Sequence, residues 1–401
     1  MATTKIILRT KKAKSNGEVP IYLRIIKDRK AKFISLGVSI LPKYWNESDK
    51  VVRKSHPNSV YLNSYLAKKI ADAQSVSLDM ETNSKYVTPK SIKQAITGKT
   101  TEQFIPYADR YAAEIEKQGR IGSYNRVKAI IAKLKEYIGK KDFTFDDLNV
   151  YFLKNYETYL RDKLGNSPNT INANMKIIRR IINEAINDDL LPYEKNPFLR
   201  YKLKWQNTEK AFLTEDELKA LEDLNLETGS MKYHHRNMYV FAAYAGGMRI
   251  SDIIKLRWEN FDGERILMAT TKTSAVISIK LPTKALEIIS LYKTPSQAPA
   301  HYIFPFLSNE KNYSEPKVLH QAISSITAYT NTDLKDLAKD AGITKHLHFH
   351  TSRHTWATRA LRKGMRIEYV SKLMGHASIK TTQVYAKIVN EELDKAMDVF
   401  N

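Results

Sequence analysis

The sequence contains no cysteine, which excludes disulfides, thiolate nucleophiles and cysteine-based zinc sites and suits a reducing cytoplasm. It also lacks any apolar run near the roughly 20 residues needed to span a bilayer. At the N-terminus, MATTKIILRTKK holds an apolar run of only three residues, so no secretory signal is expected. Acidic residues are short against basic ones: 43 Asp and Glu face 65 Lys and Arg, a formal net charge of +22. Such an excess draws a polyanion through counterion release, and nucleic acid is the partner it points to. An anionic membrane surface or plain solubility is the blander reading. What is present in ordinary measure is apolar material. A hydrophobic share of 42% over 401 residues argues against wholesale disorder and for two or three domains.

Residues 5–54 read as strands and tight turns. KIILRT, VPIYLRIIK and KFISLGVSI are short β-branched runs separated by KKAKSNGE and DRKA. Residues 1–60 carry fourteen Lys and Arg against four Asp and Glu, so nearly half the net charge sits on about a seventh of the chain. A small basic sheet fits contact with a DNA backbone or groove; a lysine-blunted solvent edge is the alternative. Residues 58–80 look helical, and a polar connector follows at 82–91. From 101 to about 190 helical periodicity dominates: one stripe of Phe104, Ala108, Tyr111 and Ile115, a second of Val127, Ile131, Leu134 and Ile138. Thr144 with Asp147 forms a capping-box pattern ahead of a third helix. A fourth follows Pro168, with Lys176, Arg179 and Arg180 opposite its apolar side. The basic stretch EKNPFLRYKLKWQNTEK, 194–210, reads as a linker. Beyond it a second capping box, Thr214 with Glu217, opens a mostly helical half interrupted by a hairpin at 265–282. No internal repeat or low-complexity tract stands out.

Reactive residue types sit on four separated pieces of this second half. AAYAGGMRISDIIKLRW puts Arg249 just past a Gly-Gly break. ATTKTSAV puts Lys272 on the hairpin. HTSRHTWAT holds His350 and Arg353 three apart, on one face if helical. LMGHASIKTTQVYAKI supplies His376 and Tyr385. Singly, each has an ordinary explanation: a capping arginine, a turn lysine, a core tyrosine among 23.

In this order and context, however, the four pieces resemble the signature boxes of the tyrosine recombinases, or phage integrase family. The match is close over about 210–390; Ser352 and Trp356 stand where Leu or Ala and Phe are commoner in the family. The helical 101–200 module is similar to the family's core-site clamp. The basic strands of 1–60, with LGVSILPKYWNES, resemble the arm-binding domain of integrases from phages and conjugative elements. The resemblance implies a mostly α protein with small β elements, in three parts. An arm-type DNA-binding β-sheet domain with its following helix would take 1–95, a helical SAM-like core-binding domain 100–205, and a mixed α/β catalytic domain 210–401. It implies Arg249, Lys272, His350, Arg353, His376 and Tyr385 as catalytic residues. Double-stranded DNA attachment sites, a homotetramer on DNA and accessory DNA-bending or directionality proteins are the implied partners, in the cytoplasm and with no membrane. The apolar positions Val389, Leu393, Met397 and Phe400 would dock on a neighbouring subunit or on their own domain.

The chemistry asks for these residue types. A phenol, with pKa about 10, serves reversible phosphodiester exchange better than an alkyl alcohol. Two guanidiniums grip the non-bridging oxygens and keep their charge. By resemblance Lys272 is the general acid for the departing 5′-oxygen, His350 exchanges the tyrosine proton, and His376 bonds the phosphate. Asp252 is expected to orient the Arg249 neighbourhood. No metal, ATP or organic cofactor is expected. One rival reading begins from four of the ten histidines, His346, His348, His350 and His354, lying within nine positions: a His-hydrophobic-His pair suits a metal-dependent tyrosine nickase or relaxase. Another is a DNA-binding regulator with an inactive catalytic domain. Beside two arginines and a lysine, His348 reads as structural or DNA-adjacent, His346 as a loop histidine, and His354 as packing behind the site.

Overall fold

The computed structural model describes residues 2–83, 89–97, 103–139, 143–206, 208, 210–272 and 274–386. Val389, Leu393, Met397 and Phe400 lie outside them. The chain divides into two compact units. One holds the residues up to Trp205 except Ile115–Asn125; the other holds Ile115–Asn125 and the chain from Gln206 onward.

In the first unit, β1 (Thr3–Leu8), β2 (Val19–Lys27) and β3 (Lys30–Ile40) form an antiparallel meander in that order. Alternation sorts its faces. Ile21, Leu23 and Ile25 are buried, while Tyr22, Arg24 and Ile26 point the other way. Asp28 and Arg29 both take positive φ, the geometry of a two-residue hairpin turn whose twist matches its strands. A short ribbon of β4 (Trp45–Asn46) and β5 (Val51–Val52) leads into α1 (Ser59–Asn83) and α2 (Pro89–Thr97). These helices pack on the sheet over a core that includes Ile6, Leu23, Trp45, Leu66 and Ile92.

Four helices follow: α3 (Phe104–Lys117), α4 (Ile121–Ile138), α5 (Val150–Thr158) and α6 (Pro168–Asn187). The expected capping box at Thr144 and Asp147 is present. One feature escapes the periodicity: α5 continues as a π-helical segment, Tyr159–Lys163. Lys176, Arg179 and Arg180 on α6 are exposed, as the stripe of Ile171, Met175, Ile178 and Ile182 requires by turning inward.

The second unit contains α7 (Glu215–Glu222), α8 (Met231–Tyr244), α9 (Ile250–Ile254), the hairpin β6 (Arg265–Ala269) with β7 (Val276–Lys280), α10 (Thr283–Ser290), α11 (Pro316–Asp340), α12 (Phe349–Arg362), α13 (Ile367–Leu373) and α14 (Gln383–Ala386). The Thr214–Glu217 capping box opens α7. Met238 to Ala243 on α8 are all buried, because α7, α10, α11 and α12 pack around that helix. Burying it on every side leaves its C-terminal end as a fixed point in the core. No described helix is long and apolar enough to cross a membrane.

Candidate active site

The site begins where α8 stops. Gly246 and Gly247 take φ of 66° and 61°, a left-handed break that glycine accepts without strain. Space demands glycine as well. A Cβ at Gly246 would lie 2.7 Å from the Ile279 side chain, and one at Gly247 would lie 3.2 Å from Cα of Arg353. The break delivers Arg249, half-buried, to the N-terminal end of α9. Three residues on, Asp252 is 1% exposed, and its carboxylate accepts from the Thr271 backbone N–H at 2.8 Å. Asp252 therefore ties down the β6–β7 loop next to the exposed Lys272, where sequence reasoning expected it to serve Arg249.

Helix α12 supplies three side chains. His348 caps it together with Thr351, so that histidine has a structural task. His350 is exposed, whereas Arg353 and His354 are buried. The Arg353 guanidinium donates to the Gly247 carbonyl at 2.5 Å and to the Met374 carbonyl at 2.6 Å. It also lies 2.8 Å from Nε2 of His376. Arginine has no acceptor, so that nitrogen is unprotonated, and the proton of His376 sits on Nδ1, facing the Thr382 hydroxyl at 2.8 Å. The tautomer follows from the partners.

Tyr385, on α14, is 5% exposed and packs among Trp356, Leu361, Val370 and Met374. Its hydroxyl lies 3.0 Å from Nδ1 of His354. The rings of His354 and His350 meet edge to face, centroids 4.7 Å apart. Among the described residues no hydrogen bond joins His350 to Tyr385.

Electrostatics tie these groups together. Partial burial and then the charges of Arg353, His348, Arg249 and Lys272 pull His350 down to about 4. Burial, Arg353, Arg249, His350 and Lys272 do the same to His376. Burial raises the Tyr385 phenol, and Arg353 and Arg249 work against that rise. Arg353 itself is lowered to about 10, by burial and then by Arg249, and so remains charged at neutral pH. The six side chains singled out in the sequence thus share one positive field around a neutral phenol. Such a field suits a phosphodiester whose negative charge grows during reaction. Among the described residues no group of three His, Asp or Glu converges as metal ligands.

Sequence reading missed three contacts: Arg353 on Gly247, Asp252 on the Thr271 N–H, and Tyr385 on His354. Only the last had a signal, since His350 and His354 lie four apart and therefore on one helical face.

Two surfaces of the first unit are suited to a polyanion. On the outer face of the three-stranded sheet, the Arg9 guanidinium stands over the rings of Phe33 and Tyr22, 4.5 and 5.3 Å from their centroids. Lys5 faces Arg24 across the β1–β2 ladder. On the helical part, the Lys176 ammonium sits 3.9 Å from the exposed Trp205 ring, beside Arg179 and Arg180.

Three family models match the chain in succession: an Arm DNA-binding domain over 6–93, a phage integrase SAM-like domain over 103–203, and the phage integrase family over 211–392. A tyrosine recombinase of Thermosipho africanus is 26% identical over 289 residues, covering 67% of this chain and 91% of the relative. The tyrosine recombinase XerC of Bacillus pumilus is 26% identical over 262 residues, covering 64% and 81%. The fold is shared with a lambda integrase dimer bound to a COC' core site, at TM-score 0.51 and 15% identity over 95% of this chain and 93% of that one. It is likewise shared with the Tn1549 transposon integrase in complex with transposon right end DNA, at TM-score 0.53 and 19% identity over 74% and 99%. With matches that run in order over nearly its whole length, the chain belongs to the phage integrase family and is a tyrosine recombinase, a DNA strand-transferring site-specific enzyme.

Proposed function

We propose that the protein is the integrase of a mobile element, joining and releasing that element at double-stranded attachment sites. The observation that carries this is the pairing of Arg353 with His376 in a field where Arg353 and Arg249 act on the neutral phenol of Tyr385 and, with Lys272, on His350 and His376. The Tyr385 oxygen attacks phosphorus, the P–O5′ bond breaks, and a 3′-phosphotyrosine keeps the bond energy for rejoining. Because the reaction is a transesterification, it calls for no ATP, and no cofactor is part of the proposal. Arg249 and Arg353 hold the non-bridging oxygens. Lys272, exposed on its hairpin, protonates the leaving 5′-oxygen. His376 bonds the phosphate once DNA draws its Nε2 away from Arg353 and that nitrogen carries the proton, and exposed His350 exchanges protons at the open edge of the site.

Strand exchange between two duplexes passes through a four-way junction and takes a homotetramer. The known lambda integrase tetramer bound to a Holliday junction shares this fold, at TM-score 0.51 and 16% identity over 93% of this chain and 95% of that one. Arm-type binding is assigned to 1–95, core-site binding to 100–205 and catalysis to 210–401. Accessory DNA-bending or directionality proteins belong to the same proposal, as does action in the cytoplasm. The test is to trap the protein on element DNA and sequence what remains attached. The proposal expects a discrete site, a 3′ linkage and resistance to chelators. A 5′ linkage, or cleavage abolished by chelator, would replace it with a metal-dependent nickase.

A further inference from the structure

We infer that His354, rather than His350, is the first acceptor of the Tyr385 proton; this rests on the recombinase reading above and adds a catalytic residue to it. The observation is geometric. Nδ1 of His354 lies 3.0 Å from the Tyr385 hydroxyl, and both side chains are nearly closed to solvent, 7% and 5% exposed. The two sit on different elements, α12 and α14, so the contact is not a by-product of helical spacing. His350, one turn earlier on α12, meets the ring of His354 and is itself open to solvent.

A phenol is the better donor of the pair and an unprotonated imidazole nitrogen the better acceptor. The O–H vector is then pinned toward His354, which leaves the oxygen lone pairs free to face away from it. At rest the proton stays on oxygen. Burial raises the phenol, while burial, His350, Lys210, His348 and Arg353 pull His354 down to about 3. Transfer becomes favourable only as the reaction proceeds, because bonding to phosphorus makes the phenolic proton strongly acidic. The charge gathering on the phosphate also offsets the cations that keep His354 neutral. In the step itself, the Tyr385 oxygen bonds phosphorus and the P–O5′ bond breaks. The electron pair leaves on the 5′-oxygen, which takes a proton from Lys272, while the phenol proton moves to Nδ1 of His354. Rejoining runs the same transfers backward. A nucleophile held protonated until phosphate arrives is also one that does not react idly.

The experiment measures single-turnover adduct formation on a nicked duplex of the sequence recovered from the trapped adduct. His354→Phe keeps the ring volume and loses the acceptor. We expect adduct formation to slow by about 10²- to 10³-fold, within the usual range for general acid–base catalysis, with DNA binding unchanged. Placing 3,5-difluorotyrosine at position 385 lowers the phenol pKa. It should recover at least about tenfold of the His354→Phe rate and change the parent little, by the Brønsted logic of a step that needs less help from a base. A merely structural role predicts no such rescue. If His354→Phe does not fold, His354→Asn, which retains an acceptor at the same reach, carries the same fluorotyrosine comparison. His354→Phe within about threefold of the parent rate, or a slow variant that fluorotyrosine fails to rescue, overturns the inference and leaves His350 as the base. A parent protein that forms no adduct on any DNA overturns the integrase reading itself.

Discussion

At the scale of single residues, the site works by pinning. Arg353 is held by two carbonyls and a histidine, an arrangement that needs several N–H groups in one plane. Lysine retains the charge but cannot span these partners and two phosphate oxygens together. Arg353→Lys should therefore lower the cleavage rate by on the order of 10² or more, as for loss of other oxyanion donors; a near-normal rate would place Arg353 outside contact with the phosphate. Gly247→Ala puts a methyl group against the backbone of Arg353 and should abolish adduct formation while leaving DNA retention intact in a mobility-shift assay. The histidines of the site add a pH dependence. His354, His350 and His376 titrate lower in the folded protein than the usual 6.5, so between pH 6.5 and about 4 the unfolded chain binds more protons. Their stabilising contribution is complete above pH 6.5 and is lost as pH falls toward 4, and toward 3 for His354. It is at most about 1.4 kcal/mol per pH unit for each proton on His354 and His376, and less on exposed His350, which solvent screens. The urea midpoint should drop from pH 7 to pH 5, and by less in His354→Phe; a flat midpoint contradicts these assignments.

At the scale of elements, the β6–β7 hairpin shows how Lys272, the proposed general acid, can be exposed and still placed. Its loop is anchored by the Asp252 carboxylate on the Thr271 N–H, one residue before Lys272. Asp252→Ala should therefore behave like a partial Lys272 variant: slow on ordinary DNA, faster on DNA whose bridging 5′-oxygen is replaced by sulfur. Failure on both substrates would return Asp252 to the role beside Arg249. This contact was not legible in the sequence, because nothing in spacing says which distant backbone N–H a carboxylate will meet. The same holds for Gly247 under Arg353, whereas Tyr385 on His354 had only the four-residue spacing of His350 and His354 to point to it. What was legible is local. The β-branched run VPIYLRIIK marked β2, helical spacing turned Lys176, Arg179 and Arg180 outward on α6, and the Thr214–Glu217 box marked the start of α7. The π-helical end of α5 escaped because side-chain pattern does not report a single altered backbone turn.

For the molecule as a whole, charge is the organising quantity. Removing residues 1–95 deletes the most basic stretch of a chain of net charge +22. The truncated protein should still cleave nicked core-site DNA but fail to integrate between full attachment sites, and its salt dependence of binding should be shallower, since fewer phosphates are neutralised. Normal integration by the truncated protein would remove the arm-binding assignment. The central claim, that Tyr385 attacks and Lys272 protonates the leaving oxygen, is tested most directly by adduct formation on ordinary and 5′-thio-bridged DNA. Tyr385→Phe should bind DNA and form no adduct on either. Lys272→Ala should be very slow on the first and recover substantially on the second, because a thiolate leaves without a proton. An adduct in Tyr385→Phe, or equal failure of Lys272→Ala on both substrates, would contradict the account.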